Sequence, residues 1–186
     1  MTDNYEMTTV NRHDFFEVSS TLQKAIRRGN EDLALSATVE MFNSNFGEYV
    51  WKRLKIMVSE DIGLANNALA TQIASLYSFY KEQKSKKDAK HQPERLYLIH
   101  AVLLLVRSPK SRYIDWTLCY YFNRFDKLTV PDFALDMHTK RGRRMGRGKE
   151  HFWNEASKLE NHQKLEGEDE MKAKAFEVFG SGTLFD

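Results

Sequence analysis

From Phe15 onward the apolar residues of this chain recur with a helical period: Phe15, Val18, Leu22, Ala25 and Ile26 share one face. Arg27-Arg28-Gly29-Asn30 reads as a helix end, with Gly29 as C-cap and Asn30 as the next N-cap. Leu33, Ala34, Ala37, Met41 and Phe42 make the buried stripe of a second helix, whose first turn carries Glu31 and Asp32, and Asn43–Gly47 breaks it. A third helix turns Tyr49, Val50, Leu54 and Met57 inward and stops at Gly63. Asn66 or Asn67 can cap a fourth, carrying Leu69, Ile73, Leu76, Tyr77 and Tyr80. Lys81–Gln92 is a charged, apolar-poor connector, and Pro93 suits the first turn of a fifth helix. That helix is apolar nearly all round from Leu96 to Val106, which makes it the central one.

After the turn at Ser108–Ser111 a sixth, aromatic-rich helix is expected over about Ser111–Phe125. Residues 126–149 lack a clean period, and helical signal returns at Glu150–Leu159 and Asp169–Phe179. No period-two alternation exceeds four residues and no internal repeat is visible. The pattern predicts an all-α fold, a compact bundle of about six to eight helices. The expected organisation is a flexible arm over 1–13, a helical domain over 14–160 and an acidic extension over 161–186.

Composition narrows the class. The 186 residues are 41% hydrophobic and 12% aromatic, which excludes wholesale disorder. The lone cysteine, Cys119, cannot form an internal disulfide and fits a reducing compartment. The N-terminus shows no secretory signal, and the longest apolar run, Ala101–Val106, is too short to span a bilayer. A soluble, cytoplasmic protein without a membrane partner is expected.

Charge is distributed unevenly. Net charge is only +2, yet His138–Lys149 concentrates six cations (Lys140, Arg141, Arg143, Arg144, Arg147 and Lys149) and holds no acid. The rest of the chain carries 22 basic against 26 acidic residues. A positive segment on a mildly negative body suits a polyanion, most simply DNA, single- or double-stranded. Gly142, Gly146 and Gly148 argue against a regular helix there and let the backbone approach a partner. A solvated basic loop is the competing reading. Phe152 and Trp153 follow and either stack on bases or anchor the next helix. Glu150–Asp186, with 4 basic and 9 acidic residues, could fold back over the cations.

Searches for catalytic patterns find little. Gly142–Lys149 has the wrong spacing for a phosphate-binding loop, has Glu150 where a hydroxyl is needed, and follows no strand. The histidines show no metal spacing, and one cysteine cannot build a zinc site. His100 reads as a core or boundary residue and Cys119 as a buried thiol. Asp136 and His138 read as loop structure rather than an acid–base pair. No enzyme, cofactor or metal is expected.

Two features point to contacts beyond simple packing. Glu60 and Asp61 end the third helix, where the macrodipole disfavours anions, so a cationic partner is expected: Arg27, Arg28, Arg53 or a residue of another subunit. On the sixth helix Tyr113, Trp116, Tyr120, Tyr121 and Phe122 cannot share one buried face. Tyr113, Trp116 and Tyr120, with Glu60 and Asp61, are therefore the expected oligomer or partner interface. Ile114, Leu118 and Phe122 are expected in the core.

Two blocks carry a resemblance. Leu22-Gln-Lys-Ala-Ile-Arg-Arg-Gly-Asn-Glu-Asp-Leu-Ala-Leu35 resembles the Lys-Ser-x-Arg-Gly-Ser-Asp-x-x-Ala-Ala-Leu block of the RarA/MgsA family, clamp-loader-like AAA+ ATPases of replication-fork maintenance. Trp51–Asn66, with Ser59-Glu-Asp-Ile-Gly-Leu-Ala65 ungapped, is similar to that family's Arg-Arg-Leu-x-x-x-x-Ser-Glu-Asp-Ile-Gly-Leu-Ala block. In the family both blocks lie in the helical C-terminal region that mediates tetramer assembly. The resemblance implies a clamp-loader-collar-like fold, a homo-oligomer up to a tetramer, and a role in DNA replication or repair beside replication proteins or a separate ATPase. These residues hold no Walker motif, so ATP hydrolysis is not implied. The terminal Thr183-Leu184-Phe185-Asp186 resembles the Leu-Phe end of sliding-clamp-binding peptides.

Overall fold

Asp14 starts the first helix by accepting a hydrogen bond from the Glu17 amide at 2.9 Å, and Asn30 starts the second by accepting from Leu33 at 3.1 Å. Between them Gly29 takes a left-handed φ of 68°, a conformation that costs a residue with a Cβ about 1–2 kcal/mol. In this computed structural model residues 7–86, 91–124 and 126–180 are described. The described part is all-α: α1 (Phe15–Arg27), α2 (Glu31–Asn43), α3 (Gly47–Met57), α4 (Leu69–Ser85), α5 (Glu94–Arg107) and α6 (Tyr113–Asn123), then α7 (Lys140–Arg144), α8 (Lys149–His151) and α9 (Glu168–Gly180). The clamp-binding-like terminus, 183–186, lies outside the described residues. Among the described residues no helix is long and apolar enough to cross a membrane.

The chain divides into two compact units, Met1–Phe125 and Asp126–Asp186. The division falls earlier than the boundary at 160 expected from the sequence, and it puts the basic segment and α9 in one unit. In the first unit α5 is central and packs against α1, α2, α3 and α4. Leu98, Ala101, Val102 and Leu105 of α5 meet Leu22, Ile26, Met41 and Leu54 in one buried core. Trp51, absent from the predicted stripe, is fully buried against the rings of Tyr77 and Tyr80, both 5.3 Å away. In α2 the buried side is Ala34, Ala37, Thr38 and Met41, while Leu33 faces out. Thr38 tolerates burial because its hydroxyl donates to the Ala34 carbonyl at 2.7 Å.

Three other local expectations change. Neither Asn66 nor Asn67 caps α4; Asn66 donates to the Ser108 hydroxyl instead, at 3.2 Å. Residues 7–13 are tied down, because Val10 donates to Ser44 at 3.0 Å and Asn11 to Glu40 at 3.1 Å, with Thr9 buried beneath. His100 is exposed.

The end of α3 is the least regular part of this unit. Val58–Ile62 forms a π-helical turn closed by Gly63 at φ 49°. The wider turn lets two adjacent carboxylates converge on one guanidinium: Arg27 donates to Glu60 at 2.7 Å and to Asp61 at 2.6 Å. Asp61 is only 1% exposed, and its backbone carbonyl accepts from Ser111 at 2.9 Å. Arg112 stands 3.7 Å from Glu60 and 3.9 Å from Asp61. The cationic partner expected for these acids is thus Arg27, within the chain. Asp61 has no surface left to offer another subunit, which removes it from the expected interface and leaves Glu60, half-buried, at its edge.

Replacing Arg27 with Met strands a buried carboxylate, and unfolding in urea should show about 3 kcal/mol less stability. The double variant Arg27→Met/Asp61→Asn should recover a substantial part of that loss. A single variant within about 0.5 kcal/mol of the parent would contradict a buried ion pair.

Candidate nucleic-acid interface

The second unit has little core: among its described residues only Leu135 and Gly142 are buried. Polar and backbone contacts shape the basic segment instead. Thr139 caps α7, its hydroxyl accepting from the Gly142 amide at 2.9 Å. At the other end Arg147 N–H donates to the Gly142 carbonyl and Gly146 N–H to that of Arg143, at 3.1 and 3.0 Å. Gly146 takes φ 73°, and together these bonds make a Schellman closure. The glycines were expected to exclude a helix here. They do so only outside one turn, because Thr139 and Gly146 cap it on both sides.

Gly142 is required for a different reason. It lies flat against the backbone of Asp136, where a Cβ would stand 1.9 Å from the carbonyl oxygen. Asp136 in turn forms the expected loop structure with His138, accepting from its amide at 3.0 Å and meeting its Nδ1 at 3.1 Å. The hydrogen bond from the His138 ring leads the contacts that hold the Asp136 carboxyl below its ordinary range.

The six cations separate by environment. Arg147 is consumed inside the unit: its guanidinium donates to both Asp132 carboxylate oxygens at 2.6 Å and to the Asp132 and Leu135 carbonyls at 2.7 Å. Its side chain is 14% exposed, so it serves as a clamp and is no longer a candidate contact. Arg143 uses one nitrogen on the Met137 and His138 carbonyls at 3.3 and 3.2 Å, but no carboxylate among the described residues neutralises it. Lys140, Arg141 and Arg144 are exposed and Lys149 half-buried. Among the described residues none of these four pairs with a carboxylate. Lys140 and Arg144 are i,i+4 neighbours and Arg141 and Arg144 are i,i+3, so the turn holds mutually repelling charges, a few tenths of a kcal/mol per pair. A polyanion relieves that repulsion.

The surrounding elements favour one of the two readings at each remaining point. Phe152 meets the edge of His138 at 5.1 Å and Trp153 at 5.1 Å, and Trp153 meets Phe176 of α9 at 5.3 Å. Both rings are half-buried in these contacts and act as anchors. Among the described residues the polar contacts of the acidic extension stay within it, as in His162–Glu168 at 2.7 Å and the Lys174–Glu170 ion pair at 2.6 Å.

In the first unit α6 buries none of its residues. Tyr113 and Trp116 are each 65% exposed and Tyr120 is also exposed, with Arg112 over the Trp116 ring at 5.4 Å and Arg124 over Tyr120 at 5.2 Å. Leu118 and Phe122, expected in the core, face outward, Phe122 at 78%. Cys119, expected to be buried, is exposed too. The cause is position: within its unit α6 touches mainly the π-turn and Gly63–Ala65, with Ile114 packed on Gly63.

Gly142→Ala leaves every charge in place, yet must displace the Asp136 backbone at a cost of about 2–3 kcal/mol. Amide resonances of Thr139–Arg147 should lose their dispersion with the net charge unchanged. Unaltered resonances would show that the turn does not depend on this approach. No protein-family model matches the chain, and no curated protein matches it.

Proposed function

We propose that this chain is a non-catalytic module of DNA replication or repair that contacts DNA through Lys140, Arg141, Arg143, Arg144 and Lys149. The observation that carries the proposal is the difference in pairing. One cation of the segment, Arg147, is bound by the unit's own carboxylate, and its neighbours are left open on the turn which that arginine holds. Arginine's planar fork suits phosphate, and Gly142 and Gly146 keep the backbone low. The likeness of Leu22–Leu35 and Trp51–Asn66 to the RarA/MgsA assembly region supports placing the module at replication forks, with a collar-like fold and self-assembly. Exposed Tyr113, Trp116 and Tyr120 supply an apolar surface for that assembly.

A second reading rests on the same helix: a protein-interaction module that joins a replication enzyme or a RarA-type ATPase without touching DNA. An apolar helix without buried residues is the kind of surface such a partner covers.

The two readings separate in a salt series. With five phosphate contacts the log–log slope of affinity on duplex DNA should be about −4.5, and about −3.5 on a single strand. Arg141→Ala/Arg144→Ala should shallow the duplex slope by about 1.8. Absence of DNA binding at low salt would overturn the first reading, and capture of a RarA-type ATPase that Trp116→Ala abolishes would favour the second.

A further inference from the structure

A cavity of about 360 Å³ opens where the turn before α3, the end of α4 and the start of α5 meet. Its size is at the lower end of small-molecule sites, suited to an amino acid rather than a nucleotide. Lys84, Glu94 and Arg95 line it, so both signs of charge face one space. Lys84 is held in place by Glu48 at 3.0 Å and by the Tyr80 hydroxyl at 3.3 Å. Arg95 has only the Phe42 ring beneath it, 5.3 Å away, and Glu94 has no cationic partner among the described residues.

Three further features converge on the same space. Gln92 lines the cavity with its Oε1 buried and without a hydrogen-bond partner, a state that costs about 1–3 kcal/mol. Gln92 and Asn45, both lining residues, hold left-handed φ values of 42° and 64°. Finally α3 and α5 both begin at the cavity, at Gly47 and Glu94, and neither start is capped by a side chain. At α5 the Arg95 and Leu96 amides already donate to the Gln92 and Pro93 carbonyls, each at 3.1 Å, so the open first-turn amides suited to an oxyanion are those of α3. Gly47 is closely packed, since a Cβ there would stand 2.9 Å from the Tyr80 hydroxyl and 3.1 Å from the Phe42 ring.

We infer that this cavity binds a small zwitterion of the α-amino-acid class. A carboxylate end matches Arg95, Lys84 and the uncapped start of α3. An ammonium end supplies the donor that Gln92 Oε1 lacks and the cation that Glu94 lacks. A simple anion would leave Gln92 Oε1 unsatisfied and would be repelled by Glu94. A simple cation would face Arg95, Lys84 and both helix dipoles.

The test is a titration of the full chain, followed through the amide resonances of Gly47 and Arg95. The probes are a panel of L-α-amino acids, with inorganic phosphate, acetate and methylammonium as single-charge controls. At least one amino acid should shift both resonances saturably while the controls do not. Arg95→Gln and Glu94→Gln should each weaken that binding by roughly tenfold, with circular dichroism unchanged. Phosphate or acetate saturating the site, and binding more tightly to Glu94→Gln, would overturn the zwitterion in favour of an anion. The absence of saturable shifts from every probe at millimolar concentration would overturn the site itself.

Discussion

A carboxylate buried to 1% exposure beside one arginine constrains the first unit more than any single apolar contact. The hydrophobic core supplies most of the driving force, yet it is tolerant of small slides between helices. The Arg27–Asp61 pair is not tolerant, because separating the two leaves an uncompensated charge out of water. It fixes α1 against the π-turn after α3. The Asp61 carbonyl then receives the Ser111 amide, and Arg112 comes within reach of the same acids, so the start of α6 is set as well. The aromatic surface of α6 therefore inherits its position from an ion pair as well as from the packing of Ile114 on Gly63.

The second unit uses the same chemistry with less core behind it. Arg147 and Asp132 close the loop, two carbonyls accept from the Arg147 Nη1, and a glycine allows one backbone to lie on another. Such a unit is stable only while these contacts persist, which places it at the easily opened end of the chain's local stabilities. What it gains is a short, capped turn bearing cations that no described carboxylate of the unit neutralises. Preorganised charge loses less freedom on meeting a polyanion than the same residues in an open loop.

The helices of the first unit were legible because their apolar spacing and caps agree, as with Phe15–Ile26 followed by Gly29 and Asn30. Trp51 was missed because it sits beside the chosen stripe, and only the nearby Tyr77 and Tyr80 rings decide which face is buried. Leu118, Phe122 and Cys119 were misplaced because composition reports hydrophobicity but not whether a neighbouring element exists to cover it. In the basic segment the cations were legible and their division was not. Arg147 looks like its neighbours until Asp132, fifteen residues away, is placed beside it. Thr139 and Gly146 did carry a signal: an N-cap and a left-handed C′ residue bracketing a single turn.

The central claim is that the cations of one turn differ in availability. The most direct measurement follows the arginine Nε–Hε resonances while a short DNA duplex is added to the full chain. The resonances of Arg141 and Arg144 should move together and saturate, while that of Arg147 stays fixed against Asp132. Equal movement of all three, or of none, would contradict the account.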